Sequence, residues 1–401
     1  MHVELCKWYN GSDSPVLLMI DDLANKWVDT NNNGHLDLGE DWGYFKNSEN
    51  SSFHYLNEKI LKDFPWVKVT FFVPVGARVG MLETPLFPKK SLPMNSDEES
   101  RQFFRSIHDH PQFELAYHGT THGKVGSRAQ DFIQEWSLFQ SLEEAASTIQ
   151  EGTDIFRDAV GTDPRGGKYC GYTSNEYSDD SINQTNFSWW CRYWNRGMLD
   201  DPKDAICGQD QNPITNFDVK RFGSHNVIDI PSTVNGGLLN ISQSDLSLKG
   251  IIKRALGNLL IRWKLREIKY LLNHRLVISI QEHIAPSRDD GKRQTPNIFD
   301  DYKSLIGIFE YLADKKVWYC TGSELADYVN LRDHVSLVIK DEYRFELNHQ
   351  APYRNQVISL AFRDQGPFTV KLPNDIQVEV VEGIVNLPVM KGEYFILKGG
   401  I

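Results

Sequence analysis

The sequence contains no long apolar run and no excess of positive charge, and these two absences narrow its function. None of its apolar stretches approaches the length that crosses a bilayer, so no transmembrane segment is predicted. The formal net charge of -11 argues against nucleic acid as a partner, because phosphate backbones select basic surfaces. The first residues lack the basic flank and apolar core of a secretion signal, from which we expect a cytoplasmic protein.

Cysteine is scarce as well. The five cysteines are Cys6, Cys170, Cys191, Cys207 and Cys320, an odd number in no metal-ligand spacing. This pattern suits a reducing compartment better than a disulfide scaffold, and we expect buried free thiols.

The sequence does contain a regular alternation of strand-like and helix-like segments. The predicted strands are residues 16–22, 67–75, 113–119, 167–172, 187–194, 227–231, 276–283 and 317–321, and the predicted helices are 52–63, 96–108, 142–160, 246–273 and 299–313. Repeated strand–helix units with short connections predict an α/β fold with a parallel sheet. Their number predicts a barrel, complete or incomplete, with ligands at the carboxyl ends of its strands.

The pattern changes after residue 334. Six short alternating segments follow, separated by Pro, Gly and Asn, with no helix-like stretch between them. We therefore predict a barrel domain over residues 1–334 and a small all-β, sandwich-like domain over residues 335–401. The second domain is predicted either to cover an apolar flank or to bind sugar.

Two adjacent carboxylates end the first buried strand. Residues 16–20 are apolar without alternation, as in a strand buried on both faces, and the run stops at Asp21 and Asp22. Neighbouring side chains on a strand point to opposite sides, so one carboxylate can bind a metal while the other faces a substrate. A solvated turn or a helix cap is the alternative.

Two histidines follow the third strand with a spacing of four. On a helical turn, His118 and His122 would lie on one side and could share an ion, although a capping or core role is also open. Asp22, at another strand end, would complete two imidazoles and one carboxylate, which is an open arrangement typical of catalytic divalent-metal sites. Asp21 would then be the general base for a bound water.

These residues resemble the motifs of a known family, the NodB-like polysaccharide deacetylases of carbohydrate esterase family 4. The family's T-F-D-D-G motif is similar to residues 19–23, its H-[ST]-x-x-H motif to residues 118–122, and its T-F-F-[VL] strand to residues 70–73. The resemblance implies a distorted (β/α)7 barrel. It also implies zinc or a similar divalent ion on Asp22, His118 and His122, with Asp21 as general base.

Two further motifs extend this resemblance. Residues 165–169 stand where the family has R-x-P-x-G, which implies that Arg165 orients the base. A histidine after an apolar strand ends the family pattern, which implies that His283 is the general acid. The sequence departs from the family at Leu23, at Gly119 and at the missing proline of the third motif.

Aromatic residues supply candidate sugar contacts. Trp190 and Trp194 lie near the end of a predicted strand, where aromatic faces suit the apolar side of a pyranose ring. Strand alternation turns about half of such a cluster toward the core. Tyr169, in the third motif, is a further predicted substrate contact.

A second ion site is predicted in the loop after the first motif. Residues 29–40 follow the twelve-residue calcium pattern of an EF-hand, with glycine at the sixth position and glutamate at the twelfth. The predicted ligands are Asp29, Asn31, Asn33, His35, Asp37 and Glu40. The segment before this loop is too short for a full entering helix, and an Asn-rich turn without an ion is the alternative.

The chain is therefore predicted to be a metal-dependent hydrolase that removes N-acetyl groups from an amino sugar or a polysaccharide precursor. An inactive glycan-binding protein and a hydrolase of a non-sugar amide are the alternatives. The basic segment 246–275 is predicted either to be the solvated face of a barrel helix or to contact an anionic membrane surface.

Overall fold

A computed structural model of the chain describes residues 2–40, 48–194, 217–239, 247–349, 356–363 and 367–398. Contacts between residues divide the chain into two units. The larger unit is Val16–Lys315 with Tyr319–Ser323, and the smaller unit is Met1–Pro15 with Lys316–Trp318 and Glu324–Ile401.

The strands are numbered in chain order. They are β1 (Val3–Leu5), β2 (Ser14–Asp21), β3 (Lys26–Val28), β4 (Val69–Val73), β5 (Lys89–Ser91), β6 (Phe113–Tyr117), β7 (Gly123–Lys124), β8 (Ile133–Gln134), β9 (Gly166–Lys168), β10 (Trp189–Cys191), β11 (Lys220–Phe222), β12 (Val227–Asp229), β13 (Val234–Asn235), β14 (Ile278–His283), β15 (Val317–Tyr319), β16 (Ser336–Ile339), β17 (Arg344–Asn348), β18 (Val357–Phe362), β19 (Phe368–Lys371), β20 (Gln377–Glu379), β21 (Ile384–Pro388) and β22 (Glu393–Lys398).

The helices are numbered in the same way. They are α1 (Ser52–Tyr55), α2 (Glu98–His108), α3 (Leu142–Val160), α4 (Ser178–Asn183), α5 (Leu248–Ala255), α6 (Gly257–Lys264), α7 (Arg266–Asn273), α8 (Tyr302–Leu312) and α9 (Gly322–His334). Helix α1 continues through a π turn (Leu56–Ile60) and a 3-10 turn (Leu61–Asp63). Among the described residues, every helix is too short or too polar to traverse a bilayer.

The larger unit is built on a sheet that curls into a half-barrel, which confirms the predicted α/β class. Nine strands follow one another in the order β11-β12-β10-β9-β6-β4-β2-β14-β13. Strand β11 is antiparallel to β12, and the other neighbours are parallel. The seven strands from β12 to β14 in this order correspond to seven predicted strands, whereas β11 and β13 were not predicted.

The central strand β2 explains where the site forms. Its apolar residues Val16–Ile20 are at most 1% exposed, because β4 and β14 flank the strand and both faces are covered. Parallel pairing in register sets His283 of β14 opposite Asp21 of β2. The carboxyl ends of the strands therefore gather polar side chains at one edge of the sheet.

Helix boundaries follow local capping. The side chain of Asp97 accepts from the backbone N–H of Ser100 at the start of α2, and α3 ends at Gly161 in the left-handed region. The predicted helix 246–273 is three helices, broken at Leu256 and Leu265. Helix α9 was not predicted, because its apolar side chains are spread around the helix instead of forming one stripe.

The smaller unit contains two antiparallel sheets. Their orders are β1-β18-β21 and β16-β17-β22-β19-β20, and residues from both sheets share one buried apolar cluster. Tyr328 and Leu331 of α9 belong to this cluster, and β1 pairs with β18. The unit thus includes an N-terminal strand and a helix that the predicted all-β domain 335–401 leaves out. As independently folding domains, 1–334 and 335–401 remain a prediction.

Two buried acids lie next to the end of β13 in the larger unit. The carboxylate oxygens of Glu282 are fully buried and have no hydrogen-bond partner among the described residues, and a Cβ on Gly236 would overlap one of them. Asp301 is close by and accepts a hydrogen bond from the backbone N–H of Asn297 at 3.0 Å. Burial raises the pKa of Glu282, and it raises the pKa of Asp301 to about 7.

These raised pKa values predict that Asp301 and Glu282 each make a contribution to stability that is lost as the pH increases. Folded Asp301 keeps a proton that the unfolded chain releases above its ordinary pKa of 3.8, so this stabilisation is complete below that pH and lost as the pH rises toward 7. The contribution of Asp301 to the free energy of unfolding should fall across this window by up to about 1.4 kcal/mol per pH unit, which appears as the difference between the wild type and Asp301→Asn. Urea unfolding at several pH values measures it.

Three variants show whether the pH dependence comes from the two buried acids and not from exposed ones. Asp301→Asn and Glu282→Gln should each flatten the pH dependence, because the amide has no proton to lose. Asp375→Asn changes an aspartate whose side chain is 82% exposed and should leave the dependence unchanged. An Asp301→Asn protein with the dependence of the wild type would contradict the prediction.

Candidate metal centre

The two aspartates at the end of β2 are both buried and both paired with a cation. Asp21 Oδ1 accepts from Lys168 Nζ at 2.7 Å. Asp22, in the left-handed region with φ 70°, turns its carboxylate to a different partner, Arg78, whose Nε and Nη2 donate to Oδ1 and Oδ2 at 3.0 Å each. The side chains of both pairs are at most 4% exposed. Adjacent carboxylates can therefore coexist here because each faces its own positive charge.

The side chain of Lys168, the last residue of β9, extends into the interior of the larger unit. Its ammonium lies 4.2 Å from the ring centre of Phe72, and it also donates to the Gln281 side-chain oxygen. The same oxygen accepts from the Tyr172 hydroxyl at 2.7 Å. Lys168 therefore has a fixed position, which holds the Asp21 carboxylate in place.

Arg78 gives Asp22 a different electrostatic setting. Burial alone would raise the pKa of this carboxyl, but the Arg78 guanidinium and the nearby His122 outweigh burial and hold the pKa well below its usual range. Asp22 is therefore ionised, and its two oxygens both accept from a bidentate guanidinium. His122 Nε2 lies 3.2 Å from Asp22 Oδ1.

The histidines lie on an irregular loop after β6 and not on the expected helical turn. Gly119 and His122 both have positive φ, of 85° and 76°. This path brings the ring centres of His118 and His122 within 5.1 Å of each other. His118 Nδ1 bonds the carbonyl of Lys168 at 3.0 Å, which leaves Nε2 directed toward Asp21 Oδ2 at 3.8 Å. The imidazoles meet as predicted, but for a different structural reason.

A buried glutamate fixes the histidine loop. Glu135 accepts from three successive backbone N–H groups, those of Thr120, Thr121 and His122, at 2.6 to 2.8 Å. A Cβ on Gly119 would lie 2.8 Å from a Glu135 oxygen, so the loop requires glycine there for space as well as for its φ. Glu135 is the main positioning residue that the sequence analysis missed, because it lies thirteen residues after His122 in an unremarkable segment.

The two imidazoles fit a divalent metal ion, whereas the third candidate donor, Cys170, is a thiol whose pKa is raised by burial. Among the described residues, one set of three potential ligands has its donor atoms within 4.8 Å of one another, namely His118, His122 and Cys170. Burial lowers the pKa of both imidazoles and so favours the neutral form that binds metals. His122 Nδ1 is buried without a hydrogen-bond partner among the described residues. The Cys170 thiol donates to the His118 carbonyl at 2.9 Å.

Asp22, the predicted third ligand, does not belong to this set of three. It contacts His122, but Arg78 uses both of its oxygens. Cys170 was read from the sequence as a buried free thiol, and it is fully buried. Its position beside the two imidazoles could not be read from spacing, because it comes from the turn after β9.

His283 lies on the strand next to Asp21. Its Nδ1 bonds the carbonyl of Pro296 at 2.7 Å, and its Nε2 lies 2.8 Å from the amide nitrogen of Gln294. With Nδ1 donating and Nε2 accepting, these two contacts suit a neutral imidazole. When it is protonated, His283 is close enough to Asp22 to lower the pKa of that carboxyl.

The four other predicted site residues have different surroundings. Arg165 is exposed ahead of β9 and acts electrostatically on Glu114, so the cation at Asp21 is Lys168 instead. Trp190 and Tyr169 are 0% exposed in an aromatic core cluster, which puts both out of reach of a saccharide. Trp194 is partly exposed, and its ring lies 5.6 Å from that of Tyr172.

The predicted calcium loop adopts a tight turn closed by its own hydrogen bonds. Asp29 accepts from the backbone of Asn33 and Gly34, and Glu40 accepts from the backbone of Thr30, Asn31 and Asp37. The Asp37 carboxylate accepts from the side-chain amides of Asn31 and Asn33, while His35 is exposed. Calcium at this loop remains a prediction.

A cavity of about 410 Å³ opens beside this loop. Its lining includes Glu40, Phe87, Ser287, Arg288 and Phe299, and it contains none of the paired aspartates or the two histidines. Ser287 donates to the carbonyl of Gly39, which ties the loop to the segment after β14.

Comparison with known proteins gives structural likeness at low identity. No protein-family model matches the chain, and no curated protein matches it in sequence. A candidate polysaccharide deacetylase from Mycobacterium smegmatis has 14% identity and a TM-score of 0.47, over 82% of this chain and 94% of that one. A further candidate polysaccharide deacetylase from Pseudomonas aeruginosa PAO1 has 12% identity and a TM-score of 0.44, over 78% and 90%.

A third similar structure is described as inactive. It is a pseudoenzyme of carbohydrate esterase family 4 from Bacillus anthracis, with 12% identity and a TM-score of 0.36, over 79% of this chain and 66% of that one. Structural likeness with a TM-score under 0.5 is too weak to support a function, so the function proposed below rests on the residues of the site.

Because Lys168 is buried against Asp21 and Arg165 is exposed, we expect substitution of these two basic residues to change the free energy of unfolding by different amounts. Lys168→Met leaves a buried carboxylate without its cation and should lower the free energy of unfolding by about 3 kcal/mol or more. Arg165→Met removes an exposed charge and should change it by less than about 0.5 kcal/mol. Chemical unfolding of both variants measures the contrast.

A double substitution provides the internal control. Lys168→Met combined with Asp21→Asn removes both charges, so it should be less destabilised than Lys168→Met alone. Equal losses in Lys168→Met and Arg165→Met would contradict the assignment of Lys168 as the cation that holds Asp21.

Proposed function

We propose that this chain is a metal-dependent hydrolase that removes N-acetyl groups from an amino sugar or a saccharide precursor. The observation that carries the proposal is the meeting of a buried, cation-paired carboxylate, Asp21, with the imidazoles of His118 and His122. The distance of 3.8 Å between Asp21 Oδ2 and His118 Nε2 puts a base next to the metal donors. Such an arrangement can activate water against an amide.

The metal, proposed to be zinc, would be held by His118, His122 and a third donor. We expect Cys170 in that position, because it shares the set of three donors, whereas Asp22 is bound by Arg78. Asp22 is the ligand implied by the family resemblance. When bound, such an ion supplies polarisation of the amide carbonyl and a lowered pKa for water.

Two different residues of the chain would carry out the two proton transfers. Asp21 accepts the proton of the attacking water, while Lys168 keeps the carboxylate oriented. His283, on the neighbouring strand, would first take up a proton at Nε2, which displaces the Gln294 amide, and would then pass that proton to the departing amine while the bond from Nδ1 to the Pro296 carbonyl holds its ring. Asp21 and His283 share one register position on β2 and β14, so they can act on opposite sides of one amide.

The finer parts of the proposal concern fold, substrate and location. We propose that the half-barrel belongs to a distorted, NodB-like (β/α)7 barrel, that calcium binds residues 29–40, and that the protein is cytoplasmic. Trp194 beside Tyr172 is the remaining aromatic candidate for a saccharide contact.

A second candidate function is binding of a glycan without turnover. The Arg78 guanidinium on Asp22 favours it, because this fixed cation neutralises the carboxylate that a metal ion would otherwise neutralise. The two aspartates and both histidines are also buried. Their burial favours binding without turnover, because a substrate must reach these residues before it can be hydrolysed.

Release of acetate from N-acetylhexosamine oligomers separates the two functions. The metal-loaded protein should release acetate, and Asp21→Asn should lower the rate about a hundredfold or more, because the general base is lost. Bound metal, measured by atomic emission, should be retained in this variant. Asp314→Asn changes an exposed aspartate and should keep the full rate. Glycan binding without acetate release in the metal-loaded wild type would instead establish the second candidate.

The third ligand can be identified by absorption spectroscopy of the cobalt-loaded protein. If Cys170 is a ligand, a thiolate-to-cobalt charge-transfer band appears in the near ultraviolet, disappears in Cys170→Ser and persists in Asp22→Asn. Cobalt binding without this band, weakened in Asp22→Asn, would identify Asp22 instead. A protein that binds neither cobalt nor zinc would contradict the metal-dependent mechanism as a whole.

A further inference from the structure

Helices α5 and α6 carry an exposed apolar stripe that nothing in the larger unit covers within the described part of the chain. Apart from one adjacent pair, its members follow one another at intervals of three or four residues, so they lie along one side of the helical segment. They are Leu248 (75% exposed), Ile251 (51%), Ile252 (49%), Leu256 (48%), Leu259 (66%) and Trp263 (47%). Scattered exposed leucines are ordinary in proteins, but a continuous stripe of six marks an interaction surface.

The opposite side of the same segment is anchored in the fold. Ile261, Leu265 and Ile268 are at most 8% exposed, and a Cβ on Gly307 of α8 would lie 2.9 Å from the side chain of Ile261. Helix α6 therefore cannot bury its part of the stripe by rolling over, because that would expose Ile261.

The stripe is accompanied by charge of one sign. From Ser247 to Arg266 the sequence contains six basic residues and no acidic one, although the whole chain has a formal net charge of -11. The next residue, Glu267, lies 3.6 Å from Lys264 and pairs with it. Arg262 and Arg266 are exposed beside the stripe. A solvated face of an ordinary helix in so acidic a protein would carry acids as well, so the local charge indicates an anionic partner.

Trp263 joins the apolar and basic parts of this surface. The Arg266 guanidinium carbon lies 4.3 Å from its ring centre, and Lys264 Nζ lies 5.5 Å from it. An indole flanked by long cationic side chains is typical of the region between lipid headgroups and acyl chains, where the ring is buried and the charges stay in water.

We propose that the stripe binds the surface of an anionic phospholipid bilayer, with α5 and α6 lying in the plane of the headgroups. The apolar residues would enter the boundary of the acyl chains while the basic residues contact lipid phosphates. The binding is peripheral, because every described helix is too short or too polar to traverse the bilayer. It is independent of the proposed catalytic function, since no residue of the metal centre takes part.

Co-sedimentation with vesicles tests the proposal on the full chain. Vesicles of phosphatidylcholine with phosphatidylglycerol should bind the protein, vesicles of phosphatidylcholine alone should bind it weakly, and salt should weaken the first interaction. Leu259→Ser with Trp263→Ser should lower the partition coefficient about tenfold or more, because two apolar anchors are lost. Arg262→Glu with Arg266→Glu should abolish the preference for the anionic lipid.

Matched controls exclude a general effect of surface changes. Ile376→Ser with Val381→Ser alters two residues of the smaller unit that are 56% and 62% exposed, and should bind vesicles like the wild type. Lipids brominated on their acyl chains should quench the fluorescence of Trp263, and Trp263→Phe should remove that quenching.

Three results would overturn the proposal. The first is absence of binding to anionic vesicles, and the second is equal binding to neutral ones. The third is concentration-dependent dimerisation that Leu259→Ser with Trp263→Ser abolishes, which would identify a second copy of the chain as the occupant. None of these results bears on acetate release, so the proposed catalytic function stands or falls separately.

Discussion

Placing two carboxylates side by side in a buried position is the constraint on which this site depends. Like charges in a poorly solvated interior repel, and each also loses hydration. The chain meets the constraint with two buried cations, Lys168 on Asp21 and Arg78 on Asp22. Lys168 comes from the neighbourhood of β9 and Arg78 from the loop after β4, so the pairs connect three separate strands of the sheet. The folded half-barrel and the charges at its edge therefore stabilise one another.

Much of this arrangement could be predicted from the sequence. Parallel strands end at a common edge, so an apolar run that stops at two acids and another that stops before two histidines deliver those side chains to one place. The strand pattern was also strong, because strands buried on both faces are apolar without interruption. That is why β2 was predictable from residues 16–20, whereas β4, β6 and β14 contain polar residues such as Thr70, Glu114 and Gln281 and were predicted from the apolar residues around them.

The partners of the acids could not be predicted in the same way. Lys168 lies 147 positions from Asp21 and Arg78 lies 56 positions from Asp22, and no local pattern distinguishes a buried cation from an exposed one. The family resemblance pointed to Arg165, three residues from the lysine that contacts Asp21. The prediction that Trp190 contacts a saccharide was also wrong, because strand alternation did not turn either of the two adjacent tryptophans outward. Trp189 is buried like Trp190, and its indole nitrogen donates to Ser323.

The Glu135 carboxylate has a consequence for how the two imidazoles work. By binding three successive amides it holds a loop with two left-handed residues in one shape, at positions where a free chain would sample many. The rings are thereby preorganised, and a ligand that reaches them meets donors already fixed in direction. If the proposed metal ion binds here, selectivity among ions would follow from the fixed size of the site instead of from its ability to adapt.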